Sequence, residues 1–244
     1  MSYPDGMFDL ERFSLSTQAL SLFGSLSIAA DGLPSAFDLT GTLATPSGRA
    51  TLLPLTGERT FVDQAKIIAN YDAAAGETWT ANATLDGFLR DQIAIARVDV
   101  TGEGTIERTP QSDLTTFLRG VAAELDVAVS GFETGDAALQ EALGADLSAA
   151  ASLVWTDGDP LLLDRLDITT GATEFYASGS VGGFDSGFEF NGGLVLDTPR
   201  LSRFAALSGL DLSGETEVSA SGRIVPLAGA FDIFVEGTGY NLAM

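Results

Sequence analysis

The sequence predicts an all-β protein, an antiparallel sheet of roughly 15 short strands interrupted by about three short helices. Three observations carry that expectation. Apolar and polar residues alternate with a period of two along most of the chain, and clusters of Gly, Pro and Asp break the alternation at short, regular intervals. A formal charge of -22 also coexists with 45% apolar residues and a mean hydropathy of +0.22. Acidic disordered segments lack the apolar half of that combination, so this chain folds. Its 244 residues suffice for one large domain or two modest ones. No linker-like stretch marks a boundary, and the chain reads as one continuous β-rich segment, 1–244.

In chain order, Leu20 to Ile28 places Leu20, Leu22, Leu26 and Ile28 opposite Ser21, Ser25 and Ser27, the pattern of a strand with one wet and one apolar face. Turn signals at Asp31-Gly-Leu-Pro34 and Pro46-Ser-Gly48 bracket a second run, Phe37 to Leu43. Thr78 to Asp86 sets Trp79, Ala81, Ala83 and Leu85 against Thr78, Thr80, Asn82 and Thr84. Ser112 to Gly120 reads as a first helix, with Leu114, Phe117 and Leu118 on one face, leading into a strand from Val121 to Val129. Asp136 to Gly144 reads as a second helix, with Leu139 and Leu143 four apart. Leu147 to Trp155 is again a strand, with Leu147, Ala149, Ala151, Leu153 and Trp155 in phase, and Asp157-Gly-Asp-Pro160 turns it.

Gly182-Gly183 and Gly192-Gly193 are read as further turns. Thr198-Pro199 reads as an N-cap followed by proline at the first helical position, opening a third helix through Leu201, Phe204 and Ala205 to a stop at Gly209. Glu217 to Ile224 and Phe231 to Val235 complete the strands. Each helix spans about two turns, too little to stand without packing on the sheet. Helix-plus-strand units near 112–131 and 198–222 share a plan ending in Ser-Gly, and Ser35-Ala-Phe-Asp-Leu-Thr-Gly-Thr42 echoes Gly229-Ala-Phe-Asp-Ile-Phe-Val-Glu-Gly-Thr238. Loose repeats of this kind suit a sheet that grows by addition along one axis.

Composition excludes whole classes of function. With 34 Asp and Glu against 12 Lys and Arg, the surface repels phosphate backbones and anionic headgroups, so no nucleic-acid partner is expected. Zero Cys removes disulfides, thiolate catalysis and Cys-ligated metal, and zero His removes the commonest proton shuttle. No nucleophile elbow, P-loop or dinucleotide fingerprint is present, so neither an enzyme nor a cofactor site is expected. Asp157-Gly158-Asp159 resembles half an oxygen-ligand loop for calcium, yet Asp-Gly is also the ordinary hairpin pair. Glu215 with Glu217, and Glu124 with Asp126, read as wet-face charges. No apolar run approaches the ~20 residues of a spanning helix, and the start carries neither a basic n-region nor an apolar core. The chain is accordingly either cytosolic or a piece of something longer.

The apolar face has two readings: the dry core of a closed sandwich, or an open groove for an acyl chain. Three short helices are too few to cover so long a face, which favours the groove. A transmembrane barrel is disfavoured by alanines at Ala81, Ala83, Ala149, Ala151 and Ala220, where a lipid-facing band needs larger side chains. Strand phase selects Leu22, Leu26, Phe37, Leu39, Trp79, Leu85, Val127, Leu153, Trp155, Val218, Ile224, Ile233 and Val235 as groove-lining. A register slip of one residue would displace any of them.

The stretch Thr198 to Leu242, in the order helix, Leu-Ser-Gly, strand, Pro-Leu-Ala-Gly-Ala-Phe-Asp, strand, Gly-Thr-Gly, resembles the TamB family of Gram-negative bacteria, the translocation and assembly module proteins of the AsmA-like, bridge-like lipid-transfer group. Asp136 to Gly144, Leu147 to Trp155 and Leu163-Asp-Arg-Leu-Asp167 are similar to the preceding section of such proteins, and the likeness covers about residues 85–242. The resemblance implies a periplasmic body folded lengthwise into a curled half-pipe with a greasy interior, anchored in the inner membrane by a helix outside this chain. It further implies phospholipid acyl chains as cargo, a role in outer-membrane biogenesis, and an outer-membrane Omp85-type partner like TamA. The chain is shorter than full members and lacks the anchor, so it reads as an internal or near-C-terminal segment. The rival readings are a structural β-sandwich or adhesin-like module, and a platform whose edge strand pairs with outer-membrane proteins during assembly.

Overall fold

The structure is a computed structural model, and it describes residues 8–29, 34–53, 56–108, 118–171, 173–183, 188–225 and 229–243. Fifteen strands form one open antiparallel sheet. They are β1 (Phe8–Ser16), β2 (Leu20–Ile28), β3 (Pro34–Ala44), β4 (Thr51–Leu53), β5 (Thr60–Val62), β6 (Gln64–Asp72), β7 (Thr78–Arg90) and β8 (Ile93–Arg108). The series continues with β9 (Leu118–Thr134), β10 (Leu147–Thr156), β11 (Leu161–Thr170), β12 (Thr173–Gly182), β13 (Glu189–Thr198), β14 (Ser213–Val225) and β15 (Ala230–Ala243). Each pairs with its sequence neighbour except at β4 and β5, a small hairpin off the main path, and β1 and β15 form the two edges. Consecutive antiparallel pairing is what alternating runs joined by short turns produce, because a two-residue turn cannot carry the chain into a parallel neighbour. The chain divides into two compact units, residues 1–125 and 126–244, and the division falls inside β9.

In the first unit the ladders align apolar residues into lateral rows. One row runs Leu10, Leu26, Phe37, Tyr71, Trp79 and Gly104 across six strands, since each pairs with the next. Glycine at position 104 makes room for an aromatic neighbour. The Trp79 indole lies over β8 so closely that a Cβ at Gly104 would sit 2.9 Å from its Nε1. The alternate phase carries polar rows such as Asp38, Asn70, Thr80 and Glu103.

β5 continues the ladder of β6 past a break at Asp63: Gln64 pairs with Asp86 and Phe61 with Leu89. Opposite the break Gly87 takes a left-handed conformation (φ 68), and a Cβ there would collide with the Asp63 side chain. Glycine is required at that kink for both reasons.

The second unit contains a different glycine device. Gly179 pairs with Gly192, and Gly192 with Gly222, so three glycines stand side by side across β12, β13 and β14. A Cβ at Gly192 would lie 2.2 Å from the Ser178 carbonyl oxygen, and one at Gly222 would lie 2.0 Å from that of Asp232. Backbones approach too closely along this row for any side chain, the signature of strands bending together. Gly192-Gly193 is therefore not the turn that its composition suggests but the interior of β13.

Two helical segments are described. Helix α1 (Ala137–Leu143) lies where expected, with the Asp136 carboxylate accepting from the amides of Ala138 and Leu139 and Gly144 as its C-cap. The third expected helix is shorter than its composition suggests. A 3-10 turn (Leu201–Phe204) runs into a single helical turn, α2 (Ala205–Ser208), which ends on left-handed Gly209. Thr198 is not its N-cap, because that residue ends β13 and its hydroxyl meets the Thr173 hydroxyl at 3.0 Å. Position 200 takes the cap place without a side-chain bond. Of the first expected helix, residues 112–117 lie outside the described residues, and Leu118 to Gly120 belong to β9. Sheet pairing there outweighs a two-turn helical pattern, which carries little stability alone.

Gly192→Ala is expected to destabilise the protein by about 1–3 kcal/mol, because the added methyl displaces a neighbouring strand's backbone. Gly193→Ala on the same strand, where a Cβ meets no atom closer than 3.7 Å, should have a much smaller effect. Chemical denaturation midpoints of the two variants make the comparison.

Candidate functional site

Of the residues selected by strand phase, Leu22, Leu26, Phe37, Leu39, Trp79 and Leu85 share one face in the first unit, and Leu153, Val218, Ile224, Ile233 and Val235 share one in the second. In the first, Leu26, Phe37 and Trp79 stand in the row already described, and Leu39 pairs with Gly24 and Ala69 one step along the strands. Leu22 pairs with Gly41, and Leu85 with Ala65 and Val98. Leu22 and Leu85, together with Leu20, Ile67, Phe88 and Val100, line an open trough of about 550 Å³ whose exposed lining is almost wholly apolar. Volumes of this order suit a small apolar ligand or part of a lipid chain.

Of that lining, strand phase selects only Leu22 and Leu85. Ile95 and Val98 both line it although they stand three positions apart, and so do Leu85 and Phe88. Strict alternation would put each pair on opposite faces. The break at Gly87 resets the phase, and the sequence signal is Ile93-Ala-Ile-Ala-Arg-Val-Asp-Val100, where the apolar positions change from odd to even.

Arg108 closes the other strand end of this unit. Its Nε donates to Glu77 Oε1 at 3.0 Å, its Nη1 donates to the Pro34 carbonyl at 3.0 Å, and its guanidinium stands 6.0 Å from the centre of the Tyr71 ring. Tyr71 in turn packs against Phe37, with ring centroids 5.6 Å apart. A cation held over an aromatic face by a carboxylate makes a fixed end to the row.

In the second unit, Val218 stands in the row Ala149, Ile168, Phe175, Leu196, Val218 and Gly237. Val235 pairs with Ala220, which pairs with Leu194; Ile233 pairs with Gly222 at the glycine row; Ile224 lies between Phe190 and Phe231. Leu153 pairs with Leu163, one residue beyond a bulge that leaves Leu163 and Leu166 three apart yet in neighbouring rows. Trp155 lies one residue beyond the last pair, Val154 with Leu162, at the end of β10 and half-buried. Val127 lies in β9, half-buried between exposed Asp126 and Ala128.

These faces are covered only in part. Among the described residues the buried apolar side chains are Val62, Tyr71, Ala123, Phe132 and Ala142, and none of the selected residues is among them. Ile67 in the first unit is 49% exposed and Val235 in the second 60%.

The opposite faces bear ion pairs, with Phe23, Leu162 and Phe234 also exposed there. Arg97 on β8 grips Asp99 through Nε at 2.7 Å and Nη2 at 2.6 Å, and reaches Asp86 at 3.3 Å. Arg223 on β14 grips Glu189 on β13 through Nε at 2.5 Å and Nη2 at 2.8 Å. Each guanidinium holds its partner carboxyl below its ordinary value, chiefly by hydrogen bonding, against an opposing desolvation. Asp157-Gly158-Asp159 forms the exposed turn between β10 and β11, and among the described residues no three His, Cys, Asp or Glu side chains gather as metal ligands. No described helix is long and apolar enough to cross a membrane.

No family model matches the chain, and no curated protein or solved structure matches it.

Because both carboxyl pKa values are lowered, the ion pairs are intact at neutral pH, and their contribution is lost only as pH falls through values below 4.5 for Glu189 and below 3.8 for Asp99. A carboxyl-carbon NMR titration should find both depressed, and Arg223→Gln should return Glu189 alone toward its ordinary value.

Proposed function

We propose that the chain is a segment of a TamB-family envelope protein that shelters lipid acyl chains on the apolar faces of its sheet during transfer between the inner and outer membranes. The observation that carries this reading is the union of continuous lateral apolar rows with incomplete burial. A closed sandwich would bury those rows, whereas only five apolar side chains among the described residues are buried. Sliding needs no reaction. A strip of interchangeable aliphatic contacts, each sheltered methylene contributing about 0.8 kcal/mol, retains a chain without a deep trap at any point. Catalytic residues, cofactors and metals play no part in this reading.

The compartment is the periplasm, with the inner-membrane anchor and an Omp85-type outer-membrane partner reached through parts of the protein outside this chain. The acidic outer face suits this role, because its charge discourages adhesion to anionic headgroups while the apolar face takes the chain. The edge-platform reading has one observation in its favour: β15 exposes Phe231, Phe234 and Val235 at 74%, 64% and 60%.

Native mass spectrometry of the purified protein should show bound phospholipid, and photo-reactive residues at positions 79 and 127 should crosslink to it. Absence of both would sink the groove. Ile67→Arg should abolish uptake of a fluorescent fatty acid while changing stability by no more than about 1 kcal/mol, because the site is half-exposed. Val62→Arg, at a fully buried site, should unfold the first unit. Binding assays paired with thermal melts separate the two effects.

A further inference from the structure

The helical segments of the second unit lie together at one end of its strands. Helix α1 leads into the start of β10, and the 3-10 turn with α2 links the end of β13 to the start of β14. At that margin the apolar face ends in threonines: Thr170 pairs with Thr173, and Thr198 with Thr216, each in phase with the row that contains Phe175, Leu196 and Val218. Although they lie at strand termini, Thr173 and Thr198 are 3% and 1% exposed. The helical segments bond to the same strand margin at Thr170. The Thr170 hydroxyl donates to the Leu143 carbonyl of α1, and Ala142 beside it is fully buried.

One side chain ties those segments down. Arg203, in the 3-10 turn, donates from Nε to the Glu141 carbonyl of α1 at 3.0 Å and from Nη1 to the Thr170 carbonyl of β11 at 3.5 Å. Two glycines make room for it: a Cβ at Gly171 would lie 1.9 Å from its Nη1, and one at Gly144 would lie 3.0 Å from its Nη2. A guanidinium spanning three separate elements, with a glycine at each point of closest approach, is built to fix their relative position.

We infer that these helices form a wall along one margin of the second unit's apolar face, and that Arg203 is the positioning residue which holds the wall so that an acyl chain lies against it. The inference rests on the acyl-chain reading above and extends it by assigning the chain a track. Between the wall and the glycine row run the two rows containing Leu196 and Leu194, bounded by buried hydroxyls on one side and by the bend on the other. A flexible unbranched chain laid across the strands fits such a track.

The native chain has no cysteine, so a single introduced thiol reports on the wall without background. In Thr198→Cys the thiol should resist a maleimide, and adding Arg203→Ala should accelerate labelling about tenfold or more, the factor equivalent to losing a charge-assisted hydrogen bond. Photo-reactive residues at 196, 224 and 39 are then exposed to phosphatidylethanolamine–phosphatidylglycerol vesicles. Arg203→Ala should cut crosslinking at 196 several-fold, leave it intact at 224 and at 39 in the first unit, and leave the melting transition cooperative. Arg203→Lys, which keeps a donor, should restore part of the signal at 196. A thiol that stays protected in Arg203→Ala overturns the latch, and a freed thiol with crosslinking at 196 unchanged overturns the track. Absence of crosslinking at all three positions in the protein with native Arg203, including 39, refutes the acyl-chain reading itself and the track with it.

Discussion

The arrangement depends on pairing register. An antiparallel ladder places paired residues on the same face, so rows such as Leu26, Phe37, Tyr71 and Trp79 exist only because three ladders agree in phase. A slip of one residue in any of them would turn an apolar set to the polar side and bring Ser or Thr into the row. Because few side chains are fully buried, interlocking core packing cannot correct such a slip. Backbone pairing and cross-strand neighbours carry the specification that a dense core supplies in a closed domain.

Local breaks reinforce register where alternation alone would fail. The left-handed Gly87 opposite Asp63 lets Leu85 and Phe88 reach one trough, and the bulge in β11 returns Leu163 and Leu166 to neighbouring rows. Each such break costs a ladder bond and gains a phase change. The glycine row acts differently: it removes side chains where three strands approach, so the bend has a defined position. Charge separation follows from the same geometry. Arg97 with Asp99 and Asp86, and Arg223 with Glu189, stand on the side opposite the apolar rows.

Much of the fold was legible because period two is a direct imprint of the strand. The limits expected for β2, Leu20 to Ile28, are those found, and α1 follows from its aspartate cap and terminal glycine. Errors arose where one residue type serves two purposes. Glycine pairs usually signal turns, yet Gly192-Gly193 is needed inside a strand because another backbone passes close by. Thr198-Pro199 has the composition of a helix start, yet the threonine hydroxyl is used across strands. The faces holding Leu22 and Leu85 in the first unit and Val218 in the second were accessible from strand phase; the contribution of Ile95 and Phe88 was not, since it depends on the kink at Gly87.

The two tryptophans fall one to each unit, Trp79 in the first and Trp155 in the second. Their surroundings differ: the Trp79 indole lies close over Gly102 and Gly104 of β8, while Trp155 stands at a strand terminus. The chain thus carries two intrinsic fluorophores at separate addresses, and replacing either by phenylalanine leaves an optical reporter of a single unit. Loss of structure in one half can be followed by emission while the other is silent, so the order in which the halves of the sheet assemble is open to direct observation in a chain that needs no added label.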